Sequence, residues 1–244
     1  SYRLWTEKTE VHEVPSYRTK NERNRALIRQ LKEQGYDELK VHNESDLTEN
    51  LRQQLQRLND FVFSEEEWKR FFSEYIADPN DSIIDRTRKF QEDDTYALIT
   101  DSGRTKNIRL IDRKELYENQ LQILDFQTQN TEALIILING IPVVCIELCR
   151  QGTELKEAFN HITEYPYEQF ESRLFEYIQI YVISNGKKTK YYSNTTRLSH
   201  LHELKESGRR KSKKTSNTFE FTSFWSDDKN QRIEKLEDFA AKIF

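Results

Sequence analysis

The sequence contains no methionine, only two cysteines, and no apolar run of eighteen residues. Without such a run it has no candidate membrane-spanning helix, and it shows no signal peptide. Cys145 and Cys149 lie four positions apart on one predicted strand, which is too far for an ordinary disulfide and unlike a zinc-binding pattern. We therefore expect a reducing, cytoplasmic setting. Because the chain starts at Ser1 and lacks methionine, we expect a fragment, a processed form or an incomplete sequence.

An excess of positive charge is also lacking, since 38 Lys and Arg face 42 Asp and Glu, for a net charge of -4. The net charge therefore does not indicate that the protein binds nucleic acid, and any DNA contact must come from a local patch. Charged residues make up 33% and hydrophobic residues 35% of the 244 residues. This composition fits one domain with long exposed helices and extensions.

The most apolar stretch runs from Leu134 to Arg150 (LIILINGIPVVCIELCR) and divides at Asn139-Gly140. An Asn-Gly pair between β-branched runs is a strong hairpin signal, because both turn residues adopt positive φ. We predict strands at Ala133–Ile138 and Ile141–Leu148. Both are apolar on both faces, which is typical of a sheet covered by helices on each side.

Glu147 is the one ionisable residue that interrupts the second strand. A carboxyl group in such a place is paired, hydrated, protonated or bound to a metal ion. The alternative without a function is a glutamate at the strand end that simply reaches water.

The helical pattern at Thr153–Ile162 follows this strand after a short turn. A hairpin whose second strand carries an acid and runs into a helix has the layout of a PD-(D/E)xK nuclease core. Such a core holds a divalent cation with one acid from each strand, and it carries a lysine two residues after the second acid. Residues i and i+2 share a strand face, so we predict that Glu147 and Cys149 face one pocket while Arg150 points away.

Further stretches follow the same order as in a known family. They are SYR…ALIRQLKEQGYDELKV, ENLRQQLQRLNDFVFSEEEWKRF, NIRLIDRKEL, INGIPVVCIEL, LFEYIQIYVISNG, YYSNTT and FEFTSFW. Together they resemble the N-terminal nuclease region of HsdR, the restriction and motor subunit of type I restriction–modification enzymes. The resemblance covers nearly the whole chain.

The chain departs from this family at the positions for metal and catalysis. The family places an Asp fourteen residues before the Glu, where this chain has Ala133, and a Lys two after it, where this chain has Cys149. Of these positions only Glu147 is kept. Glu132 lies one residue from the Asp position, so it would serve as a metal ligand only through a bulge or a different register. Lys156 is a candidate source of the missing ammonium group.

Two helical features of the family are also altered. A Q-x3-Y motif near the catalytic centre becomes His161 and Tyr165, which either keep that role or pack as a surface pair. The N-terminal helix of the family offers a Glu near Asn24, and the nearest acid here is Glu22. The segment Asp125–Glu132 is shorter than is usual, which leaves open whether Ala133 is the Asp position.

The resemblance implies an α/β fold of the α+β type, with a restriction-endonuclease-like mixed central sheet flanked by helices. We expect an N-terminal arm at 1–15 and a nuclease domain at 16–225. This domain contains a helical insertion at 46–78 and a basic loop at 199–215. A C-terminal helix at 226–244 would lead to motor domains that this chain lacks.

The function implied by the resemblance is Mg²⁺-dependent cleavage of double-stranded DNA. In the full protein this cleavage is coupled to ATP-driven translocation by downstream motor domains, in a complex with the modification (HsdM) and specificity (HsdS) subunits. The alternative is a nuclease fold that no longer cuts and serves as a DNA-holding or docking module. A lone carboxylate is a poor site for catalytic Mg²⁺.

Apolar spacing predicts helices at Asn21–Gln34 and Asp46–Leu58, and a helix start at Ser64. The aromatic stripe that follows, from Trp68 to Tyr75, is predicted to be core rather than a base-stacking platform, because it lacks interleaved basic residues.

Short strands are predicted at Tyr96–Thr100 and Ile108–Ile111, and we expect both to extend the central sheet. The segment Glu115–Phe126 is ambiguous and compatible with a helix. Further strands are predicted at Tyr177–Ser184 and Tyr191–Ser193.

The segment Ser199–Thr215 is predicted to be an inserted loop. Its five clustered basic residues are Arg209, Arg210, Lys211, Lys213 and Lys214. Such a cluster is suited to salt-dependent contacts with DNA phosphates, and the alternative is a solvated loop. Lys187-Lys188-Thr189 after Gly186 lacks the context of a phosphate loop, so no nucleotide-binding site is predicted.

Overall fold

A six-stranded mixed sheet forms the centre of the computed structural model, which describes residues 19–92, 95–127, 132–161, 171–209 and 218–244. The strands run in the order β1-β4-β5-β6-β7-β8 across the sheet. Their bounds are β1 Asp37–Leu39, β4 Leu121–Gln127, β5 Glu132–Ile138, β6 Ile141–Leu148, β7 Ile180–Ser184 and β8 Thr189–Ser193. The β1–β4 and β6–β7 pairs are parallel and the others are antiparallel.

The predicted central hairpin is confirmed. Strands β5 and β6 pair antiparallel around a turn in which Asn139 has φ +51° and Gly140 has φ +81°. The register shifts once, between Ile136 and Leu137, so a bulge lies near the turn rather than near the far end of the hairpin. Nearly every residue of both strands is buried, as their two-sided apolar pattern predicts.

Seven α-helices lie in the described part of the chain. They are α1 Lys20–Glu33, α2 Glu44–Asn59, α3 Glu65–Phe71, α4 Ile83–Gln91, α5 Leu155–Asn160, α6 Asn194–Arg209 and α7 Leu236–Ile243. The predicted helix start at Ser64 is confirmed, because its side chain accepts from the Glu67 N–H while the Glu67 carboxylate accepts from the Ser64 N–H. No described helix is long and apolar enough to cross a membrane.

Helices cover both faces of the sheet, as predicted. Tyr191 and Tyr192 are neighbours on β8 and so point to opposite faces. The ring of Tyr191 lies 6.4 Å from that of Phe239 on α7, whereas the ring of Tyr192 lies 5.2 Å from that of Phe159 on α5. The fold is therefore α/β, with a mixed sheet between helical layers.

Helix α7 is fastened along α1 by side chains of α1 and the residues after it. Gln30 Nε2 donates to the Glu237 carbonyl at 2.8 Å, and Gln34 Nε2 donates to the Ala240 carbonyl at 3.2 Å. Tyr36 Oη donates to the carbonyl of Phe244 at 3.1 Å. The C-terminal helix predicted within 226–244 is thus confined to α7, and a small ribbon of β9 Trp225–Ser226 and β10 Arg232–Ile233 precedes it.

The aromatic stripe after Ser64 belongs to the core, as predicted. Phe71 is fully buried and Tyr75 is 7% exposed, while Trp68 and Phe72 pack against the core from partly buried positions. The stripe continues from α3 into a π-helical segment at Phe72–Ile76.

The prediction that the two strands after the stripe extend the central sheet is wrong. Strands β2 Thr95–Ile99 and β3 Thr105–Arg109 form a separate two-stranded sheet. The cause is a side chain of α2: Asn59 accepts from the Arg109 N–H at 2.9 Å and donates to the Arg109 carbonyl at 3.0 Å. This exchange holds β3 against the helix instead of against a strand of the central sheet.

Three other predictions need correction. The segment Glu115–Phe126 is not a long helix, since a 3₁₀ turn at Leu116–Glu118 leads into β4. The strand predicted from Tyr177 begins at Ile180, after a 3₁₀ turn at Leu174–Tyr177.

The predicted loop Ser199–Thr215 is instead helical as far as Arg209, because α6 buries Arg197, His200 and Leu201 at helical spacing. The remainder of that segment, 210–215, lies outside the described residues, as does the predicted arm at 1–15. The predicted domain boundaries stay predictions.

Gly140 is tightly enclosed, which gives a matched test of the hairpin. A Cβ atom at Gly140 would lie 2.7 Å from the Leu51 Cα, whereas one at Gly103, with a similar φ of +79°, would meet no atom within 4 Å. We expect Gly103→Ala to lose about 1–2 kcal/mol through its φ alone, and Gly140→Ala to lose about 1–3 kcal/mol more through the clash. Urea denaturation of both variants measures the difference, and equal losses would show that α2 does not constrain the turn.

Candidate active site

Glu147 lies near the end of β6, between β5 and β7, where it pairs with Ile183. It is half-buried within a strand whose other residues are buried. Its charge reaches Tyr192, whose pKa is raised first by burial and then by Glu147. Glu147 therefore belongs to the sheet face that α5 and α6 cover.

Burial raises the pKa of Glu147 to about 7, while the positive charges of Arg197 and Lys20 act to lower it. A carboxyl group with this pKa is divided between its protonated and charged forms near neutral pH. The burial of Glu147 therefore argues against a strand-end carboxylate that simply reaches water. A raised carboxyl pKa of this kind is typical of functional sites, although buried structural groups show it as well.

Cys149 follows the end of β6 and is held against β7. Its N–H donates to the Ser184 carbonyl at 2.8 Å, and its Sγ lies 3.3 Å from the same oxygen. Burial raises the pKa of the Cys149 thiol, Arg23 opposes this shift, and the charge of Glu147 adds to it. Glu147 and Cys149 therefore lie within electrostatic range of each other, and Arg150 is exposed. Their shared pocket stays a prediction.

Ala133, at the family Asp position, is 1% exposed and pairs with Phe126. The β5–β6 register pairs Leu134 with Ile146, and one further step places Ala133 opposite Glu147. The position that the resemblance assigns to the second acid therefore lies across the hairpin from Glu147, and its side chain has no oxygen.

Glu132 is not brought to the same strand face as Glu147. The β4–β5 register is unbroken from Leu121 to Gln127, so no bulge turns Glu132 toward Glu147. Its carboxylate instead forms a salt bridge of 3.1 Å with Lys20 and lies near Asp125, whose pKa is raised chiefly by burial. The metal-binding role predicted for Glu132 stays a prediction.

The positive charges at this site come from side chains that no sequence motif singles out. Lys20 and Arg23 project from α1, and Arg197 projects from α6. Arg23 Nη2 donates to the carbonyl of Cys149, and the Arg197 guanidinium lies 5.0 Å from the ring centre of Tyr181. Lys156 on α5 is exposed and is not among the charges that shift Glu147. The spacing of apolar residues predicts the helix α1, but it does not show that the first turn of this helix lies near the end of β6.

The first helix does not supply an acid to the site. Glu22 is used in the N-terminal cap of α1, where it accepts from the Thr19 N–H at 2.7 Å. Asn24 is 3% exposed within α1. The capping role of Glu22 accounts for its position without any contact with a metal ion.

His161 is exposed at the end of α5, and Tyr165 lies outside the described residues, so their predicted pairing stays a prediction. The buried histidine of this region is His200 on α6, whose ring lies 4.1 Å from that of Phe159. Burial lowers the pKa of His200. Of the five basic residues predicted to touch DNA, Arg209 ends α6 and the other four lie outside the described part.

The described residues do not fit a Mg²⁺ site. Among them, no group of three or more His, Cys, Asp or Glu side chains is placed to hold a metal ion. Mg²⁺ prefers oxygen ligands in octahedral geometry, and the positions facing Glu147 carry an alanine methyl group and a cysteine thiol. The carboxyl of Glu147 is itself easily protonated, which weakens it further as a ligand.

The geometry described so far is that of an α/β fold whose mixed central sheet carries a half-buried carboxyl group at the end of one strand. A sequence model of the family described as "Type I restriction enzyme R protein N terminus" matches residues 18–200. The chain therefore belongs to this family.

Named relatives agree with this assignment. The chain is similar to the "Type I restriction enzyme EcoprrI endonuclease subunit" of Escherichia coli, with 38% identity over 237 residues, which cover 94% of this chain and 71% of that protein. It is 29% identical over 223 residues to the SsaAORF53P endonuclease subunit of Staphylococcus saprophyticus, and 29% over 224 residues to the SauMSSORF170P endonuclease subunit of Staphylococcus aureus. These matches cover 87% and 88% of this chain but only 21% and 22% of those proteins.

The raised pKa of Glu147 predicts a pH-dependent stability. An acid whose pKa is raised by folding favours the folded state while it is protonated. This contribution is present in full below pH 4.5 and is lost as the pH rises through about 7. Glu147→Gln keeps a neutral group, so it should match the wild type near pH 4.5 and exceed it by roughly 2–3 kcal/mol above pH 7.

Urea denaturation between pH 4.5 and 8 in EDTA measures this difference. Glu33→Gln, which removes an exposed carboxylate of α1, is the matched control and should keep the pH dependence of the wild type. Parallel stability curves for the wild type and Glu147→Gln would contradict the assignment.

Proposed function

We propose that this region of a type I restriction R subunit holds DNA with a nuclease fold but does not cut it by itself. The observation that carries the proposal is the pair of side chains beside Glu147. Ala133 stands across the hairpin and Cys149 stands two residues on, where the family has a carboxylate and an ammonium group. The fold is kept while the chemistry of these two positions is lost.

The physical reason is the charge that develops on the phosphate during cleavage. Fixed charges and dipoles aimed at that charge supply much of the rate, and removing one such group typically lowers the rate by roughly 10²–10³-fold. Here both the second carboxylate and the lysine are replaced by groups without charge, and Glu147 is half protonated near pH 7. The combined loss leaves this chain a poor catalyst.

For the whole protein, we propose the restriction activity that the family implies. That activity is cleavage of double-stranded DNA with Mg²⁺, coupled to ATP-driven translocation by motor domains and carried out with HsdM and HsdS subunits in the cytoplasm. The support is the family match and the printed names of the relatives as endonuclease subunits. In this proposal the present chain contributes a DNA-facing module to the complex.

A second candidate, cleavage by this chain, is favoured by one specific observation. The ammonium group of Lys20 is 3.1 Å from Glu132 and also within electrostatic range of Glu147 and Cys149. The charge of Lys20 therefore acts on both acids of the hairpin, Glu132 and Glu147. If the chain cuts DNA, Lys20 is the residue that replaces the lysine of the motif.

Incubation of the purified chain with supercoiled plasmid and Mg²⁺ or Mn²⁺ separates these candidates. We expect no nicking by the wild type, and measurable nicking by the double variant Ala133→Asp plus Cys149→Lys, which restores the two charged groups. Circular dichroism of each variant checks that the fold is kept. The variant with Glu147→Ala added is the matched control and should again be inactive.

Nicking by the wild type that disappears in both Glu147→Ala and Lys20→Gln would overturn the first candidate and support the second. Nicking that persists in Glu147→Ala would point to a contaminating nuclease, and only purification that removes it would restore the proposal. The DNA-holding part is tested separately by the fluorescence anisotropy of a labelled duplex, which should rise with the wild-type chain.

A further inference from the structure

A cavity of about 510 Å³ lies beside Arg23, near the residues that follow β6. It is formed by α1, the turn between β7 and β8, and the start of α7. The side chains that line it and bear on its chemistry are Arg23, Gln30, Gln151, Lys187, Lys235 and Glu237. Neither the second acid nor the lysine of the nuclease motif belongs to this cavity.

Arg23 carries unused hydrogen-bond donors in this cavity. The residue is only 8% exposed, and one arm of its guanidinium, Nη2, donates to the Cys149 carbonyl. Its Nε and Nη1 have no hydrogen-bond partner within the described part of the chain. Burial lowers the pKa of Arg23, yet a guanidinium stays charged at any pH that cells reach. A buried guanidinium whose N–H donors are unpaired is expected to bind an anionic acceptor.

The turn at Gly186 packs directly against the guanidinium, whose Nε and Nη1 are buried. Gly186 has φ +89°, and a Cβ atom there would lie 3.3 Å from Arg23 Nη1. The N–H groups of this turn are already used, since Gly186 N donates to Ser184 Oγ at 3.0 Å and Lys187 N donates to Asn185 Oδ1 at 3.0 Å. A ligand in the cavity is therefore held by side chains and not by a backbone anion nest.

The charges of the side chains that line the cavity favour an anionic ligand. Three cationic side chains, Arg23, Lys187 and Lys235, face one carboxylate, Glu237. The amide nitrogen of Gln30 is occupied by the Glu237 carbonyl. A guanidinium with two free donors and two mobile ammonium groups match the tetrahedral oxygens of a phosphate better than a planar or apolar group.

We propose that this cavity is a phosphate-binding pocket in which Arg23 is the buried anchor and Lys187 and Lys235 close the rim. Its ligand is a phosphate group, supplied either by the backbone of a DNA strand or by a free phosphate. The DNA source rests on the proposed function and would make Arg23 a positioning residue. The same side chain that binds the phosphate also holds the carbonyl of Cys149, two residues from Glu147.

The test uses the full 244-residue chain with Lys187→Gln plus Lys235→Gln, because both residues are exposed and their loss leaves the core intact. The matched control is Lys188→Gln plus Lys242→Gln, which removes two exposed charges from the same elements outside the cavity. Inorganic phosphate, titrated at constant ionic strength, should raise the melting temperature of the wild type and control. The apparent Kd for phosphate should rise at least tenfold in the rim variant.

Duplex DNA is the second arm of the test. Anisotropy titrations of a labelled duplex at several salt concentrations give the slope of log K against log salt. Each phosphate contact contributes about 0.9 to this slope, so the rim variant should lose roughly one unit and the control less. A loss in both arms assigns the pocket to the DNA backbone, and a loss with phosphate alone assigns it to a free phosphate group.

Failure of the phosphate-pocket proposal can be distinguished from failure of the proposed function. If phosphate does not stabilise the wild type more than chloride does, or if the rim variant responds like the control, the pocket is overturned whatever the chain does with DNA. If the wild type binds phosphate but no duplex, the pocket stands and the DNA-holding function is wrong.

Discussion

The side chain of Asn139 is the constraint on which the rest of the structure depends. It is fully buried in the turn of the central hairpin, where its Nδ2 donates to the Leu110 carbonyl at 3.0 Å and its Oδ1 accepts from the Gln120 N–H at 2.9 Å. Arg57 on α2 also donates to this oxygen at 3.3 Å. A buried amide must satisfy its donors and acceptors, so one residue fixes the hairpin against β4, the end of β3 and α2 together. Displacing the turn would leave several polar groups unpaired at once.

The hairpin in turn positions Glu147 without a second carboxylate opposite it. Its strands place Ala133 and Glu147 opposite each other, so only one of the two facing side chains is an acid. The cations that remain are contributed from outside the motif, by Lys20 and Arg23 on α1 and by Arg197 on α6. Of these cations, Arg197 and Lys20 lower the pKa of Glu147 by less than burial raises it, which is why its carboxyl is easily protonated.

Sequence reasoning succeeded where the signal was local and failed where the cause was distant. The Asn-Gly turn and the two-sided apolar strands predicted the hairpin because a turn and its flanking periodicity are encoded within twenty residues. Strands β2 and β3 were also found, but their separation from the main sheet depends on Asn59, fifty residues from its partner Arg109. The same limit applies to the site. Glu147 was evident as a carboxyl group in an apolar strand, whereas Arg23 meets Cys149 across 126 residues and carries no motif.

The seating of α1 has a mechanical consequence. At one end it grips the carbonyl of Cys149 through Arg23, and at the other it is tied to α7 by Gln30 and Gln34. An α-helix of fourteen residues is about 21 Å long and nearly rigid, so α1 connects these two attachments firmly. Helix α1 therefore links α7 to the strand end that carries Glu147, while its Leu27, Ile28 and Leu31 pack in the hydrophobic core. The last helix, the first helix and the end of β6 thus form one connected unit.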